Sequence, residues 1–92
     1  MPLNISKRII KSEANALNKL ADSLNAQYTK AIKSILKVKG NIFLSGVGKS
    51  GHIARKIAST LTSTGSPAYF IHPTEASHGD LGLVKGKDVI IL

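Results

Sequence analysis

Residues 41–45 form a short apolar run of strand formers, Asn-Ile-Phe-Leu-Ser, that passes directly into Gly46-Val47-Gly48-Lys49-Ser50-Gly51. No other stretch constrains the fold as tightly. A run this short and apolar predicts a buried strand, and the glycine-rich turn at its end predicts a reversal into a helix. Residues 52–64 supply that helix: Ile53, Ile57, Ala58 and Leu61 share one face, Gly65 is placed to end it in a left-handed cap, and Pro67 prevents it from resuming. Ala68-Tyr69-Phe70-Ile71 predicts a second strand, residues 72–82 a polar loop, and Asp88-Val89-Ile90-Ile91-Leu92 the opening of a third strand. Strand, helix and strand within about 30 residues make a βαβ unit, with a parallel sheet and a right-handed crossover. The fold class expected is α/β.

Ahead of this unit, Ile9, Ile10, Leu17, Leu20, Ala21 and Leu24 follow the spacing of an amphipathic helix, with Ser6 available as its cap. Tyr28, Ala31, Ile32, Ile35 and Leu36 mark a second helix, separate or continuous with the first, that ends at Gly40. The expected division is a helical segment over 1–40 and the first half of a parallel-sheet domain over 41–92. With the chain ending in its third strand, the sheet is expected to be incomplete. Its uncovered apolar faces then favour self-association.

Composition excludes several classes. There are no cysteines, hence no disulfide framework and no thiolate metal site. No apolar run approaches the roughly 20 residues that span a bilayer, and the N-terminal stretch lacks the apolar core of a signal peptide, so a cytoplasmic protein with no membrane partner is expected. The formal charge of +8 raises the question of nucleic acid, but the 13 Lys and Arg residues are scattered along the chain, as on solvated helix faces with one or two anion contacts. No nucleic-acid partner is expected.

Gly46 to Gly51 matches G-x-G-x-x-G between a strand and a helix, a context in which backbone N–H groups hold phosphate. It is not a nucleotide-binding P-loop, because Phe43 stands where that motif needs its first glycine. A dinucleotide fold wants an acidic residue roughly 20 positions on; the second strand ends instead in His72-Pro73-Thr74. Lys49 is placed either to meet an anion at the helix N-terminus or simply to be solvated. His72, Glu75, His78 and Asp80 share one loop at the carboxyl end of a strand, where open α/β sheets bind ligands. Proton transfer or substrate contact, a metal site, and ordinary loop structure all remain open for them.

Taken in order, residues 45–56 (SGVGKSGHIARK), 63–67 (STGSP) and 72–82 (HPTEASHGDLG) closely resemble the sugar isomerase (SIS) domain of arabinose 5-phosphate isomerases. The resemblance implies a flavodoxin-like, three-layer parallel-sheet domain that interconverts D-ribulose 5-phosphate and D-arabinose 5-phosphate, feeding synthesis of the acidic sugar Kdo of lipopolysaccharide or capsule. It implies a phosphosugar partner, a homo-oligomer and no required cofactor. Residue by residue, it implies a catalytic role for Lys49, substrate contacts for Gly65, Ser66 and His78, further loop contacts for Ser50, Glu75 and Asp80, and for His72 a position able to bind an inhibitory zinc. The family's serine-rich phosphate loop, its proton-transfer carboxylates, a further histidine and its paired CBS modules fall beyond Leu92. A partial isomerase with little activity of its own is therefore expected, with a non-catalytic phosphosugar-binding regulator as the alternative.

Overall fold

The computed structural model describes the backbone of residues 1–92 and every side chain except those of Asp80 and Leu81. Residues Met1–Ile32 and Lys33–Leu92 form two separate compact units. In the first, α1 spans Pro2–Ser23, earlier than expected: Met1 is its N-cap, with no side-chain cap bond, and Pro2 opens its first turn. Ser6 thus lies inside the helix. Proline suits this position because its missing N–H would have no partner there. The two helical patterns are not continuous. Leu24 is extended (φ −65°, ψ 137°), and Asn25 Oδ1 accepts a 2.9 Å bond from the N–H of Gln27, starting α2 (Ala26–Leu36) as an asparagine N-cap does.

The second unit is built on three parallel strands in the order β2-β1-β3: β1 Ile42–Leu44, β2 Ala68–Phe70 and β3 Val89–Ile91. Ile42, Phe43 and Leu44 pair with Ala68, Tyr69 and Phe70 on one side and with Val89, Ile90 and Ile91 on the other. Being central, β1 is buried on both faces. Ile42 and Leu44 face α3 (Lys49–Ser63), whose Ala54 and Ala58 complete the core together with Ala68. Small residues on that stripe let the helix lie close to the sheet, and Thr62 ties its far end to β2 by hydrogen bonds of 3.1 Å to both the carbonyl and the N–H of Ala68. Ile35, Val38, Leu61, Phe70 and Ile91 pack around this cluster. Phe43 points to the opposite face, where its ring lies 5.9 Å from that of Tyr69.

After β2 the polar stretch is more ordered than expected, because His72 and Pro73 together nucleate a turn. It holds α4 (Pro73–Ser77) and a 3₁₀ turn (Asp80–Leu83). No helix among the described residues is long and apolar enough to cross a membrane.

The amino ends of β1 and β3 are joined by a clasp. Asp88 Oδ1 accepts from the N–H of Asn41 at 2.7 Å, its Oδ2 from the N–H of Lys85 at 2.6 Å, and the N–H of Gly40 reaches the Lys87 carbonyl at 3.1 Å. A Cβ on Gly40 would collide with Asp88 Oδ1 and stand 2.9 Å from the Lys87 carbonyl, so glycine is required by this approach. The bonds from Asn41 and then Lys85 hold the Asp88 carboxyl below the usual carboxylate range, against a small opposing effect of burial. A depressed folded pKa stabilises above the unfolded value and ceases to do so as pH falls through the folded one. The thermal midpoint of Asp88→Asn should therefore lie below that of the wild type at pH 7, and the gap should close as pH drops below about 4. Gly40→Ala should cost about 1–3 kcal/mol in urea denaturation, by overpacking.

Candidate functional site

Parallel pairing brings the carboxyl ends of β1 and β2 to the same edge of the sheet, and there the glycine loop and the His72 segment meet. Ser45 Oγ donates a 2.6 Å bond to the Ile71 carbonyl, while the N–H of Ile71 donates to the Leu44 carbonyl at 2.9 Å. The two loops are thereby held as one surface.

The three glycines of the loop answer two separate needs. A Cβ on Gly51 would stand 2.7 Å from the Gly46 carbonyl oxygen, and one on Gly46 would stand 2.8 Å from the Ser50 carbonyl carbon, so loop and helix touch backbone to backbone. Gly48 takes φ 59°, ψ −126°, a conformation that side chains disfavour, and is the N-cap of α3. No side chain caps it, so the opening N–H groups of α3, those of Lys49 and Ser50, have no capping acceptor. That turn contains no acidic residue; its first position is the exposed Lys49, followed by Ser50 and then His52. A cation at a helix N-terminus adds to the positive end of the helix dipole instead of offsetting it. Such an end is complementary to an anion or a developing oxyanion.

Next to it lies a cavity of about 160 Å³ lined by Gly46, Gly48, His52, Arg55, Phe70 and His72. The Arg55 guanidinium lies 4.1 Å over the centre of the Phe70 ring, whose centroid is 6.4 Å from that of His72 in an edge-on arrangement. His72 Nδ1 accepts a 3.1 Å bond from the N–H of Thr74 and so caps α4. Glu75 falls in the first turn of α4, and the N–H of His78 closes its end with bonds of 3.1 Å to the carbonyls of Thr74 and Glu75. Both side chains are exposed at the same edge of the sheet as the glycine loop. Ser50 lines a neighbouring cavity of about 210 Å³ with Ser45, Ile53 and Ile91. The Asp80 side chain lies outside the described residues.

Gly65 and Ser66 are not brought to this edge. Gly65 (φ 101°) ends α3, and the N–H of Ser66 bonds the Leu61 carbonyl at 2.8 Å, the pattern of a glycine C-cap. The fifteen residues of α3, at about 1.5 Å each, put that turn about 22 Å from Lys49, farther than one five-carbon sugar phosphate can reach. There the turn lines a different cavity with Ile35, Val38, Gly40 and Ile42.

For a metal, the donor set fits poorly. No group of three or more His, Cys, Asp or Glu side chains able to hold an ion is found among the described residues, and the Nδ1 lone pair of His72 is already engaged. His52 and Arg55 were not expected at the site. Their signal was helical spacing from Gly48: positions 48, 52 and 55 share one face of α3 once the helix is known to start at Lys49.

The SIS domain model matches residues 34–92. The arabinose 5-phosphate isomerase GutQ of Escherichia coli (strain K12) is 44% identical over 89 residues, covering 97% of this chain and 28% of GutQ. The arabinose 5-phosphate isomerase KpsF of E. coli O6:H1 (strain CFT073) is 46% identical over 87 residues, covering 94% of this chain and 27% of KpsF. The chain thus spans under a third of the length of these curated relatives. A solved structure of an E. coli CFT073 protein in complex with arabinose 5-phosphate superposes with a TM-score of 0.85 at 42% identity, over 96% of this chain and 47% of that one.

Gly51→Ala should lower stability by about 1–3 kcal/mol, because the clash is with backbone that cannot rotate away. Gly46→Ala should cost a similar amount, and the double variant less than the sum, since both substitutions open the same contact. Urea denaturation of the three variants checks this.

Proposed function

The chain belongs to the SIS-domain family, and on that premise we propose that it is part of a cytoplasmic, self-associating phosphosugar isomerase interconverting D-ribulose 5-phosphate and D-arabinose 5-phosphate. One observation carries it furthest: the relative solved with arabinose 5-phosphate shares this backbone over 96% of the chain at 42% identity. The local chemistry agrees. In the ketose-to-aldose direction a base removes a proton from C1, and O2 takes up negative charge in an enediolate. Transfer of the hydroxyl proton from O1 to O2 and return of a proton to C2, with O1 becoming the carbonyl, give the aldose. Nothing is oxidised overall, so the step requires no organic cofactor.

The group needed most is a stabiliser for the oxyanion, and the positive first turn of α3 with Lys49 supplies one. In this proposal Lys49 is the catalytic cation, His78 contacts the sugar, and Ser50 and Glu75 are further contacts along the same edge; Asp80, whose side chain lies outside the described residues, is a further contact on the resemblance alone. Gly65 and Ser66 lie too far from Lys49 to touch the same molecule within one chain. Any contact they make with that sugar comes from a second copy.

The purified protein should convert D-ribulose 5-phosphate to D-arabinose 5-phosphate only slowly on its own, followed by proton NMR, and Lys49→Ala should lower that kcat/KM by about 10²- to 10³-fold. Full activity in the Lys49→Ala protein would remove Lys49 from the mechanism. Saturable binding of D-arabinose 5-phosphate without turnover would replace the isomerase with a phosphosugar-binding regulator.

A further inference from the structure

His72 combines three features. Its Nδ1 accepts from the N–H of Thr74, its ring stands edge-on to Phe70, and it lines the cavity that Arg55 and the N-terminal turn of α3 make electropositive. A neutral imidazole has one N–H and one lone pair. With the lone pair at Nδ1 taken by the backbone donor, the hydrogen must sit on Nε2. We propose that His72 is a positioning residue locked in the Nε2–H tautomer, which caps α4 and offers its one remaining polar group as a donor to a hydroxyl or phosphoryl oxygen, and that it is not a zinc ligand.

Two independent observations oppose the metal role that the family resemblance suggests. Ligation through Nε2 would require moving the ring hydrogen to Nδ1, where it would face the Thr74 N–H; ligation through Nδ1 would displace that N–H outright. Either way α4 loses its cap, and with it the segment that carries Glu75 and ends at His78. The surroundings are also wrong for a cation. Arg55 lies over Phe70, the α3 N-terminus faces the same cavity, and no carboxylate among the described residues lines it. These surroundings favour ligand oxygens and repel a divalent ion. The ring is held by contacts on two sides: the cap bond fixes its rotation, and Phe70, itself clamped by Arg55, abuts it. This inference concerns the ring and its partners alone, and stands or falls separately from the isomerase proposal.

The test uses the full protein. Ring ¹⁵N spectra of histidine-labelled wild type above pH 8, where imidazole is neutral, should show His72 as the Nε2–H tautomer. His72→Asn retains an acceptor for the Thr74 N–H and should leave exchange of the Ala76 and His78 amides within about twofold of wild type, whereas His72→Ala should speed it about fivefold. Affinity for Zn²⁺ alone, measured by calorimetry, should be the same in wild type and His72→Asn. The Nδ1–H tautomer, unchanged amide exchange in His72→Ala, or a tenfold loss of Zn²⁺ affinity in His72→Asn would each overturn the proposal.

Discussion

Ile42, Phe43 and Leu44 bond to a strand on either side and bury side chains on both faces of the sheet, so three residues carry the organisation of residues 33–92. A strand paired on both edges has no backbone group left for water, and its neighbours must supply every partner. That requirement sets β2 and β3 alongside it in parallel. It also brings α3 down onto Ile42 and Leu44, and directs the loops after β1 and β2 to one edge. Shifting β1 by one residue would carry Ser45 into the buried place of Leu44 and flip every side chain of the strand to the other face, moving the glycine loop out of line with α3.

Electrostatics then decide what that edge can hold. The first turn of α3 carries Lys49 and His52 with no acid to offset the positive end of the helix, and Arg55 follows one turn on. A folded chain would gain from an acidic residue there and does not have one. A bound anion would offset that charge at the helix N-terminus. The phenylalanine under Arg55 keeps the guanidinium in place without neutralising it, because a ring face attracts a cation but carries no net charge.

The residues that the resemblance suggests for the site do not all converge within this chain. Lys49, Ser50, Glu75 and His78 lie along the carboxyl edge of the sheet, whereas Gly65 and Ser66 stand at the far end of α3, where their visible work is to terminate a helix. This separation follows from topology: a βαβ crossover leaves by one end of the sheet and returns by the other. Linear motifs cannot register it, because three segments in the right order look the same whether they meet in space or not.

Much of the fold was legible in residue order. The apolar run before Gly46, the helical face of Ile53, Ile57, Ala58 and Leu61, and the Gly65–Pro67 stop are local signals, and each depends on period or backbone freedom that nearby residues set. The start of α1 at Pro2, the break at Leu24 and the helix at Pro73–Ser77 were less legible, because end positions depend on which capping bond wins. By itself, then, the sequence determined an α/β unit with a phosphate-type glycine loop and the family to which it belongs. Only the tertiary structure decided that Arg55 and His52 join the glycine loop and His72, that Gly65 and Ser66 do not, and that the imidazole lone pair of His72 is spent on Thr74. Those outcomes rest on distances between segments remote in sequence, and such distances are set by how the sheet and α3 pack, not by any one stretch of residues.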